Sequence, residues 1–222
     1  MGSGFLSVER YAAVLALADR IVALLPQQRI AVAVDGVDGA GKTVVADEIA
    51  ELVGHRRHVV RVSIDGFHHP REVRHRDGRG PEQFYRDSYD YAAFRAAVME
   101  PFRAGDAVTS AVNDVEQDRP IRVPAVPVEP DTVLLVDGIF LQRPELRSTW
   151  DAALFVDVPF TVSVPRGNAR FPGPHDSDPE AESNHRYVDG QRRYLDEVRP
   201  RERATWVLDN TDLRRPRVAL RG

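Results

Sequence analysis

The stretch AVAVDGVDGAGKTVVADEIAELV, from Ala31 to Val53, decides the fold. An apolar run from Ile30 to Val34 has the length and composition of a buried strand. A loop containing three glycines follows, and apolar residues then recur at helical spacing from Lys42 to Val53. A strand, a glycine-rich loop and a helix in this order predict a phosphate-binding loop.

The loop sequence GVDGAGKT, Gly36 to Thr43, matches G-x-x-x-x-G-K-[ST] at every fixed position. Glycine lets the backbone curl closely enough for several N–H groups to hold one phosphate, and the next helix points its positive end at that anion. We expect Lys42 to reach the β- and γ-phosphates of a nucleoside triphosphate and the Thr43 hydroxyl to bind Mg²⁺. The predicted nucleotide-binding residues are Gly36, Asp38, Gly39, Ala40, Gly41, Lys42, Thr43 and Val44.

The rest of the chain reads as strands alternating with helices, which predicts an α/β fold with a doubly wound, mainly parallel sheet. We interpret residues 1–222 as a single domain with a leading helix at about 8–25. The predicted strands after the loop are HVVRVSI (58–64), TVLLVDGIF (132–140), AALFVDV (152–158) and, as the last one, ATWVLDN (204–210).

Three segments interrupt this alternation. A polar connection from Asp65 to Asp90 is long for a compact domain, and such connections are usually functional or disordered. Asp90 can cap a helix over residues 91–102, and two β-like segments, 107–115 and 121–128, suggest a hairpin excursion whose prolines fit an edge. A loop rich in Gly, Pro, Asp and Ser then suggests a mobile lid at about 166–186.

Two aspartates follow predicted strands. Asp65 lies just beyond the second strand, where open α/β sheets bind ligands, and could accept a proton from an attacking hydroxyl and help to hold a metal. Asp137 ends the most apolar strand in a Walker-B-like arrangement that suits Mg²⁺. Either aspartate could instead simply form a turn with the glycine that follows it.

Basic residues complete the list of candidates. Arg166 and Arg170 are four residues apart, so on a helix they would share a face and could neutralise a transferring phosphoryl group. His68 lies in the long connection, near arginines at 71, 74, 76 and 79. This basic group either contacts an anionic substrate or is solvated.

A phosphate loop alone leaves three classes open: a small-molecule kinase, a GTPase-like switch or motor, and a nucleotide-sensing module without transferase activity. GTPases usually carry an Asn-Lys-x-Asp motif late in the chain, whereas DNTD (209–212) lacks the lysine. This difference disfavours the switch.

With the phosphate loop, SIDGFHHP, RGPEQFYRDSYDYAAF, LLVDGIF and the arginine pair in order, residues 30 to 210 resemble the uridine kinase and phosphoribulokinase family of P-loop kinases, above all its bacterial uridine-kinase-like branch. The resemblance implies ATP- and Mg²⁺-dependent phosphoryl transfer to a hydroxyl. It implies Asp65 as general base, Thr43 and Asp65 near the metal with Asp137 beside them, and Arg166 and Arg170 as lid arginines. The implied substrate side comprises Asp65, His68, Asp90 and Arg170.

The chain also departs from that family's pattern. Asp137 stands where the family often has Glu, and Phe171 stands where it often has Asp. Uridine kinases read the pyrimidine with an aromatic residue and a histidine in the hairpin, whereas SAVNDVEQDRPI (110–121) contains neither. A nucleoside is the first acceptor to consider, and a pantothenate-like, sugar or other small alcohol is the alternative.

Composition limits the classes of partner that we expect for this protein. A net charge of −4 argues against a nucleic-acid binder, and the absence of cysteine excludes disulfides and thiolate metal sites. No apolar run approaches a membrane span and the N-terminus does not read as a signal peptide, so we expect a cytoplasmic protein. Exposed hairpins and sheet edges can pair subunits, which leaves a homo-oligomer open.

Overall fold

A computed structural model of the chain describes residues 7–171 and 173–220. Its main sheet contains β1 (Ile30–Gly36), β2 (Val59–Ser63), β5 (Val133–Gly138), β6 (Ala152–Asp157), β7 (Trp206–Asp209) and β8 (Arg217–Leu220), and a separate pair contains β3 (Asn113–Asp114) and β4 (Arg119–Pro120). The helices are α1 (Val8–Ala23), α2 (Lys42–Gly54), α3 (Arg71–Arg74), α4 (Pro81–Asp87), α5 (Tyr91–Phe94), α6 (Glu100–Ala104), α7 (Phe160–Asn168), α8 (Glu182–Val198) and α9 (Pro200–Arg203).

The six strands lie in the order β2-β5-β1-β6-β7-β8, and all are parallel except β8. The predicted mainly parallel α/β sheet is confirmed. The prediction that residues 204–210 form the last strand is wrong, because β8 returns antiparallel to β7 and covers its edge. RVAL is too short and too polar at its start to stand out as a strand in the sequence.

Alternate residues of β1 point to opposite faces of the sheet, and helices cover both faces. Ala31 and Ala33 join a core with the aromatic residues of α4, α5 and α8, whereas Val32 and Val34 join a second core with α1 and α2. All seven residues of β1 are buried, so the loop that follows it begins from a rigid support.

The polar connection 65–90 is ordered rather than open. A short 3₁₀ helix (Ile64–Phe67), α3 and α4 occupy most of it, and its two ends pair in an isolated antiparallel bridge between His68 and Tyr89. The amide of Asp90 donates to the carbonyl of Phe67 at 2.8 Å. The pairing therefore brings Asp65 and His68 beside Tyr89 and Asp90.

The helix predicted over residues 91–102 continues to Ala104 but contains a π-helical segment, Arg95–Met99. Pro101 has no N–H to donate to the carbonyl of Ala97. The amide of Thr109 donates to that carbonyl instead, at 2.9 Å. The helix thereby holds the start of the hairpin excursion.

The hairpin excursion is present, but its pairing is short. Its two arms are joined by β3 and β4, by a hydrogen bond from the amide of Ile121 to the carbonyl of Val112, and by a bridge between Val108 and Val126. Prolines at 120, 124 and 127 cannot donate to a ladder, which explains the interruption.

Within the described residues no helix has both the length and the apolar character needed to cross a membrane.

The close packing of α8 on α4 depends on Gly190. A Cβ added there would lie 2.9 Å from the carbonyl oxygen of Pro81 and 2.7 Å from the Phe84 ring. We expect Gly190→Ala to push the helices apart and lower the free energy of unfolding by about 1–3 kcal/mol, measured by urea denaturation.

Gly54→Ala provides the matched control, because a Cβ at this position in α2 would meet nothing within 4 Å. Its effect should stay within about 1 kcal/mol and be neutral or stabilising. Equal stability of the two variants would contradict the packing role of Gly190.

Candidate active site

The phosphate loop lies between β1 and α2 and has the conformation that its glycines allow. Gly39 and Gly41 have φ angles of 73° and 88°, in the left-handed region that side chains avoid. A Cβ at Gly39 would also lie 2.0 Å from the carbonyl oxygen of Ser163, in α7. The loop is therefore packed directly against the helix that carries Arg166.

Lys42 is the only lysine in the sequence, and the structure places it at the first position of α2. The residue is 8% exposed, and its Nζ donates to the carbonyl oxygen of Val37 at 2.8 Å. The amino group thus lies folded over the loop, in reach of an anion that the loop would hold.

Thr43 and Asp137 meet across two neighbouring elements. The Thr43 hydroxyl donates to a carboxylate oxygen of Asp137 at 2.6 Å, and Asp137 is 2% exposed. Hard oxygen donors of this kind suit Mg²⁺, which binds through few protein ligands and takes others from phosphate and water. Among the described residues no group of three or more His, Cys, Asp or Glu forms a ready-made metal cage.

Arg61 is a partner of Asp137 that the sequence did not indicate. Its Nη2 lies 2.9 Å from Asp137 and 3.0 Å from Asp47. The guanidinium of Arg61 thus bridges two carboxylates. The same contact occupies one oxygen of Asp137, while Thr43 contacts the other.

Asp65 lies two residues beyond Ser63, which is in register with Asp137 across the sheet. The Tyr89 hydroxyl donates to Asp65 at 2.9 Å and so fixes an otherwise exposed carboxylate. Burial first, and then the charges of Asp65 and Asp38, raise the pKa of Tyr89 well above its usual value. Tyr89 therefore stays protonated and remains a hydrogen-bond donor to Asp65.

His68 is held in the same arrangement. Its Nδ1 lies 2.9 Å from the carbonyl oxygen of Asp65, and its ring lies 4.5 Å from that of Tyr89. Burial, the largest effect, lowers the pKa of His68. Because the carbonyl only accepts, Nδ1 carries the hydrogen in the neutral ring, which leaves the Nε2 lone pair as an acceptor.

Asp90 caps α5, as predicted, by accepting the amide of Ala93 at 2.8 Å. Its other oxygen lies 3.8 Å from Nδ1 of His69, and its side chain remains 37% exposed. One carboxylate oxygen is thus used by the helix, and the second faces the connection that carries His68 and His69.

Arg166 and Arg170 both line a cavity of about 450 Å³ beside Gly41, Lys42 and Thr43. The expectation that they share a helix face is wrong, because α7 ends at Asn168. Prolines at 172 and 174 in the sequence oppose continuation of the helix. Arg166 donates to the carbonyls of Asn210 and Thr211, whereas Nε of Arg170 reaches back to Gly167.

The segment predicted as a lid contains a polar anchor at Asn184, which is 7% exposed. Its side-chain amide donates to the carbonyls of Asp176 and Asp178 at 3.0 and 2.8 Å. Asn168, at the end of α7, donates to the same Asp176 carbonyl at 2.7 Å. These bonds connect the end of α7 to the start of α8.

A buried polar network under the loop was missed by sequence reasoning. Asp35, at the end of β1, is fully buried and accepts from Gln142, from the amide of Gly36 and from the Tyr194 hydroxyl. Burial, the largest effect, raises the pKa of Asp35, while these donors and the charge of Lys42 oppose the rise. The only signal in the sequence was an aspartate within an apolar strand.

Helix α8 also contacts the loop itself. Gln191, 3% exposed, accepts from the amide of Asp38 at 2.6 Å and donates to the carbonyl of Tyr187 at 2.9 Å. Tyr194, one turn further, contacts Asp35. Helix α8 is therefore hydrogen-bonded to Asp35, just before the phosphate loop, and to Asp38 within it.

The leading helix contributes as well. Arg10, 6% exposed, donates to Glu48, to the Asn210 side chain at 3.0 Å and to the carbonyl of Leu213 at 3.1 Å. Asn210 in turn donates to the carbonyl of Ala40 in the loop at 2.7 Å. The wall of the cavity opposite α7 is thus built by α1 and by the segment after β7.

Comparison with known proteins supports the fold. No family model and no curated protein has a match to this chain. A possible uridine kinase from Bacillus stearothermophilus shares its fold with a TM-score of 0.72 and 21% identity, over 89% of this chain and 98% of that one. A protein from Silicibacter sp. TM1040, described provisionally as a fructose transport system kinase, has a TM-score of 0.61 and 21% identity, over 86% of this chain and 94% of that one. The YGR205w protein has a TM-score of 0.57 and 13% identity, over 95% of this chain and 99% of that one.

These likenesses define the class of fold: the chain has the architecture found in kinase-like P-loop proteins. At such identities they leave the reaction and the acceptor to be argued from this chain's own residues.

The buried network yields a pH-dependent prediction. Tyr194→Phe removes a donor to Asp35 and leaves the amide of Gln142 without its acceptor. We expect a loss of about 2–4 kcal/mol in the free energy of unfolding near neutral pH. The loss should shrink on acidification, because removal of this donor raises the pKa of Asp35 further. The added cost falls on the ionised carboxyl alone, so it disappears as pH falls below the already raised pKa of the wild type.

Denaturant unfolding at about pH 5 and about pH 8 measures the difference. The matched control is Tyr187→Phe, which changes a tyrosine of the same helix that is 48% exposed. A Tyr194→Phe loss that is independent of pH, or no larger than that of the control, would contradict the account.

Proposed function

We propose that the protein is an ATP-dependent phosphotransferase that moves the γ-phosphoryl group to a hydroxyl of a small molecule. The contact between Thr43 and Asp137, beside Lys42 and at the mouth of the glycine loop, carries this proposal. It joins a polyphosphate cradle to an oxygen donor set at the carboxyl ends of adjacent parallel strands. That edge is where open α/β sheets bind their ligands.

In this reaction the acceptor oxygen attacks the γ-phosphorus, the bond to the β-phosphate oxygen breaks, and ADP leaves. Asp65 accepts the proton of the acceptor hydroxyl, and Tyr89 holds the carboxylate in place. Lys42, Arg166 and Arg170 neutralise charge on the transferring group. Thr43, Asp137 and Asp65 would hold Mg²⁺, which supplies positive charge to the phosphate oxygens.

The acceptor is proposed at the level of its class. The name of the Bacillus stearothermophilus neighbour makes a nucleoside the first compound to test. The hairpin sequence, without aromatic or histidine residues between Ser110 and Ile121, favours the alternative of a non-nucleoside alcohol. Within that alternative, the description of the Silicibacter neighbour makes a sugar the first compound to test.

A second candidate function is nucleotide binding without transfer. Lys42, Thr43 and Asp137 would serve this role equally well, whereas the ordered Asp65–Tyr89 pair favours catalysis, since binding does not require a fixed base. Release of ADP above background, with a panel of nucleosides and alcohols, separates the two functions.

Lys42→Ala tests the part of the site that would bind ATP, the phosphoryl donor. Loss of the amino group should reduce kcat/KM by about 10²-fold or more, because Lys42 is the one basic residue that the loop sequence itself contains. Glu51→Ala, an exposed change on the same helix, should leave turnover within about twofold. Normal turnover in Lys42→Ala would remove the proposed role of the lysine.

The single lysine also permits a direct binding measurement in the unaltered protein. An amine-directed acylating reagent has one side-chain target, Lys42, which mass spectrometry separates from the N-terminal amine. Saturating ATP and Mg²⁺ should slow labelling of Lys42 by about tenfold while leaving the N-terminus unaffected. Unchanged labelling would argue against nucleotide binding at the loop.

Asp65→Asn tests the proposed base in phosphoryl transfer. We expect kcat to fall by about 10²- to 10⁴-fold, because the amide cannot accept the proton, while ATP still protects Lys42 from acylation. Asp106→Asn, at an exposed aspartate after α6, is the control. Near-normal rates in Asp65→Asn would mean that another group acts as the base.

A further inference from the structure

Asn210 is a fully buried residue that directly follows β7 and contacts the phosphate loop. Its Nδ2 donates to the carbonyl oxygen of Ala40 at 2.7 Å, and a Cβ added at Gly41 would lie 2.9 Å from the same nitrogen. Its backbone amide donates to the carbonyl of Asp157, the last residue of β6, at 3.0 Å. The side chain therefore reaches the loop from a position that the sheet itself holds.

The bond to Ala40 determines where the next amide points. In a trans peptide the C=O and the following N–H are coplanar and point in opposite directions. Because Asn210 fixes the Ala40 carbonyl, the N–H of Gly41 points away from Asn210, and no group among the described residues accepts from it. The left-handed conformation of Gly39 and Gly41 makes the N–H groups of such a loop converge on one anion. The Gly41 N–H is therefore a free donor for a phosphate oxygen.

Arg10 of the leading helix fixes which end of the Asn210 side chain faces the loop. Its Nη1 donates to Oδ1 of Asn210 at 3.0 Å. A guanidinium only donates and a carbonyl only accepts, so an inverted amide would lose its bonds to both Arg10 and Ala40. Arg10 is itself held by Glu48 of α2, at 2.9 and 2.8 Å, and by donation to the carbonyl of Leu213 at 3.1 Å. The orientation of the amide is thus set from outside the loop.

The backbone of Asn210 holds a second part of the site. Arg166 donates to the carbonyl of Asn210 at 3.0 Å and to that of Thr211 at 2.6 Å. Arg166 and Asn210 both line the cavity beside Lys42. Because Arg166 contacts the backbone and the loop contacts the side chain, replacement of the side chain changes the support of the loop and keeps the acceptor of Arg166.

We infer that Asn210 is a positioning residue that aims the Gly41 N–H at the polyphosphate of the bound nucleotide. Both polar atoms of its side chain are used within the protein, so Asn210 acts through the loop and not by contact with the nucleotide. This role rests on the proposed function and adds to it a determinant of nucleotide affinity that lies outside the loop motif. An N–H group that already points at the anion binds it without reorganisation of the backbone.

The first test is the affinity of the loop for polyphosphate, measured as the ligand concentration that halves the rate of Lys42 acylation. Asn210→Ala removes the donor to Ala40 and should raise this concentration at least about tenfold for ATP with Mg²⁺, because a hydrogen bond to a charged group is then misdirected. Inorganic tripolyphosphate with Mg²⁺ should lose affinity by the same factor, since it contacts the loop and carries no base.

Three outcomes of this test overturn the inference. The first is equal affinity of Asn210→Ala and the wild type for ATP. The second is a loss for ATP that tripolyphosphate does not share, which would place the effect at the base and not at the loop. The third is a wild type that ATP protects and tripolyphosphate does not.

Thr205→Val is the matched control. Thr205 precedes β7, at the opposite end of the strand from Asn210, and its hydroxyl accepts from the amide of Ala153 at 3.1 Å. This replacement also removes one hydrogen bond to the backbone, but it should leave both concentrations within about twofold of the wild type. An equal loss in Thr205→Val and Asn210→Ala would indicate general destabilisation and would overturn the role of Asn210.

Asn210→Asp guards against collapse of the space that alanine leaves. The carboxylate fills the same volume and keeps Arg10 as a partner, but it has no hydrogen to donate to Ala40. Its affinity for ATP and for tripolyphosphate should fall at least as far as that of Asn210→Ala. Affinity equal to that of the wild type would overturn the inference even if Asn210→Ala did not fold.

Failure of the proposed function has a different signature. Neither ATP nor tripolyphosphate would then protect Lys42 in the wild type, and the function and the role of Asn210 would both be overturned. Protection of the wild type that Asn210→Ala shares in full overturns the role of Asn210 alone.

Discussion

The strand order β2-β5-β1 is the constraint on which the site depends. Because these strands are parallel and adjacent, their carboxyl ends meet at one edge of the sheet. The register pairs Asp35 with Gly138 and Ser63 with Asp137, so residues just after each strand fall within reach of one another. The Thr43–Asp137 hydrogen bond, between residues 94 positions apart, is a direct result of that register.

The loop is held from beneath and from both sides, and this support has an energetic reason. A nucleotide-free loop presents N–H groups to space that a phosphate would fill, and unsatisfied donors are costly when buried. The contact of Gln191 with the amide of Asp38 satisfies one of them, and Asp35 satisfies the amide of Gly36. Asn210 holds the carbonyl of Ala40 on the opposite side. Such fixed dipoles reduce the reorganisation that phosphate binding requires.

The same network explains why an acid can lie inside an apolar sheet. Three donors and the nearby charge of Lys42 oppose the rise in the pKa of Asp35 that burial produces. Since Tyr194 and Gln191 both belong to α8, changes in the position of that helix are transmitted to the loop through hydrogen bonds rather than through loose packing.

Local patterns made much of this predictable. The loop motif specifies its own flanking strand and helix, and the apolar runs specify the parallel strands, because both signals are contained in short windows of sequence. Asp65 and Asp137 could be placed from the rule that ligands bind beyond strand ends. Asp90 could be assigned as a cap because capping involves only the next three residues.

The missed features depend on residues far apart in the chain or on signals too weak to read. The pairing of Arg61 with Asp137 spans 76 positions, and that of Tyr194 with Asp35 spans 159. No periodicity encodes such contacts, since they arise only when the sheet is assembled. The helix of Arg166 was extended too far because its spacing to Arg170 fits a helix, whereas two prolines downstream terminate it. β8 was missed because its stability comes from pairing with β7 rather than from its own composition.

The hairpin limits the contacts that the proposed acceptor side can offer. A nucleoside acceptor could gain affinity from ring stacking, and the hairpin between Ser110 and Ile121 offers no aromatic side chain for stacking. Its tip instead contributes Asp118, which accepts the amide of Arg71 and lies near Arg74, so the hairpin orients the arginines. The hairpin therefore contributes charge, and no aromatic surface, to the connection that carries Asp65.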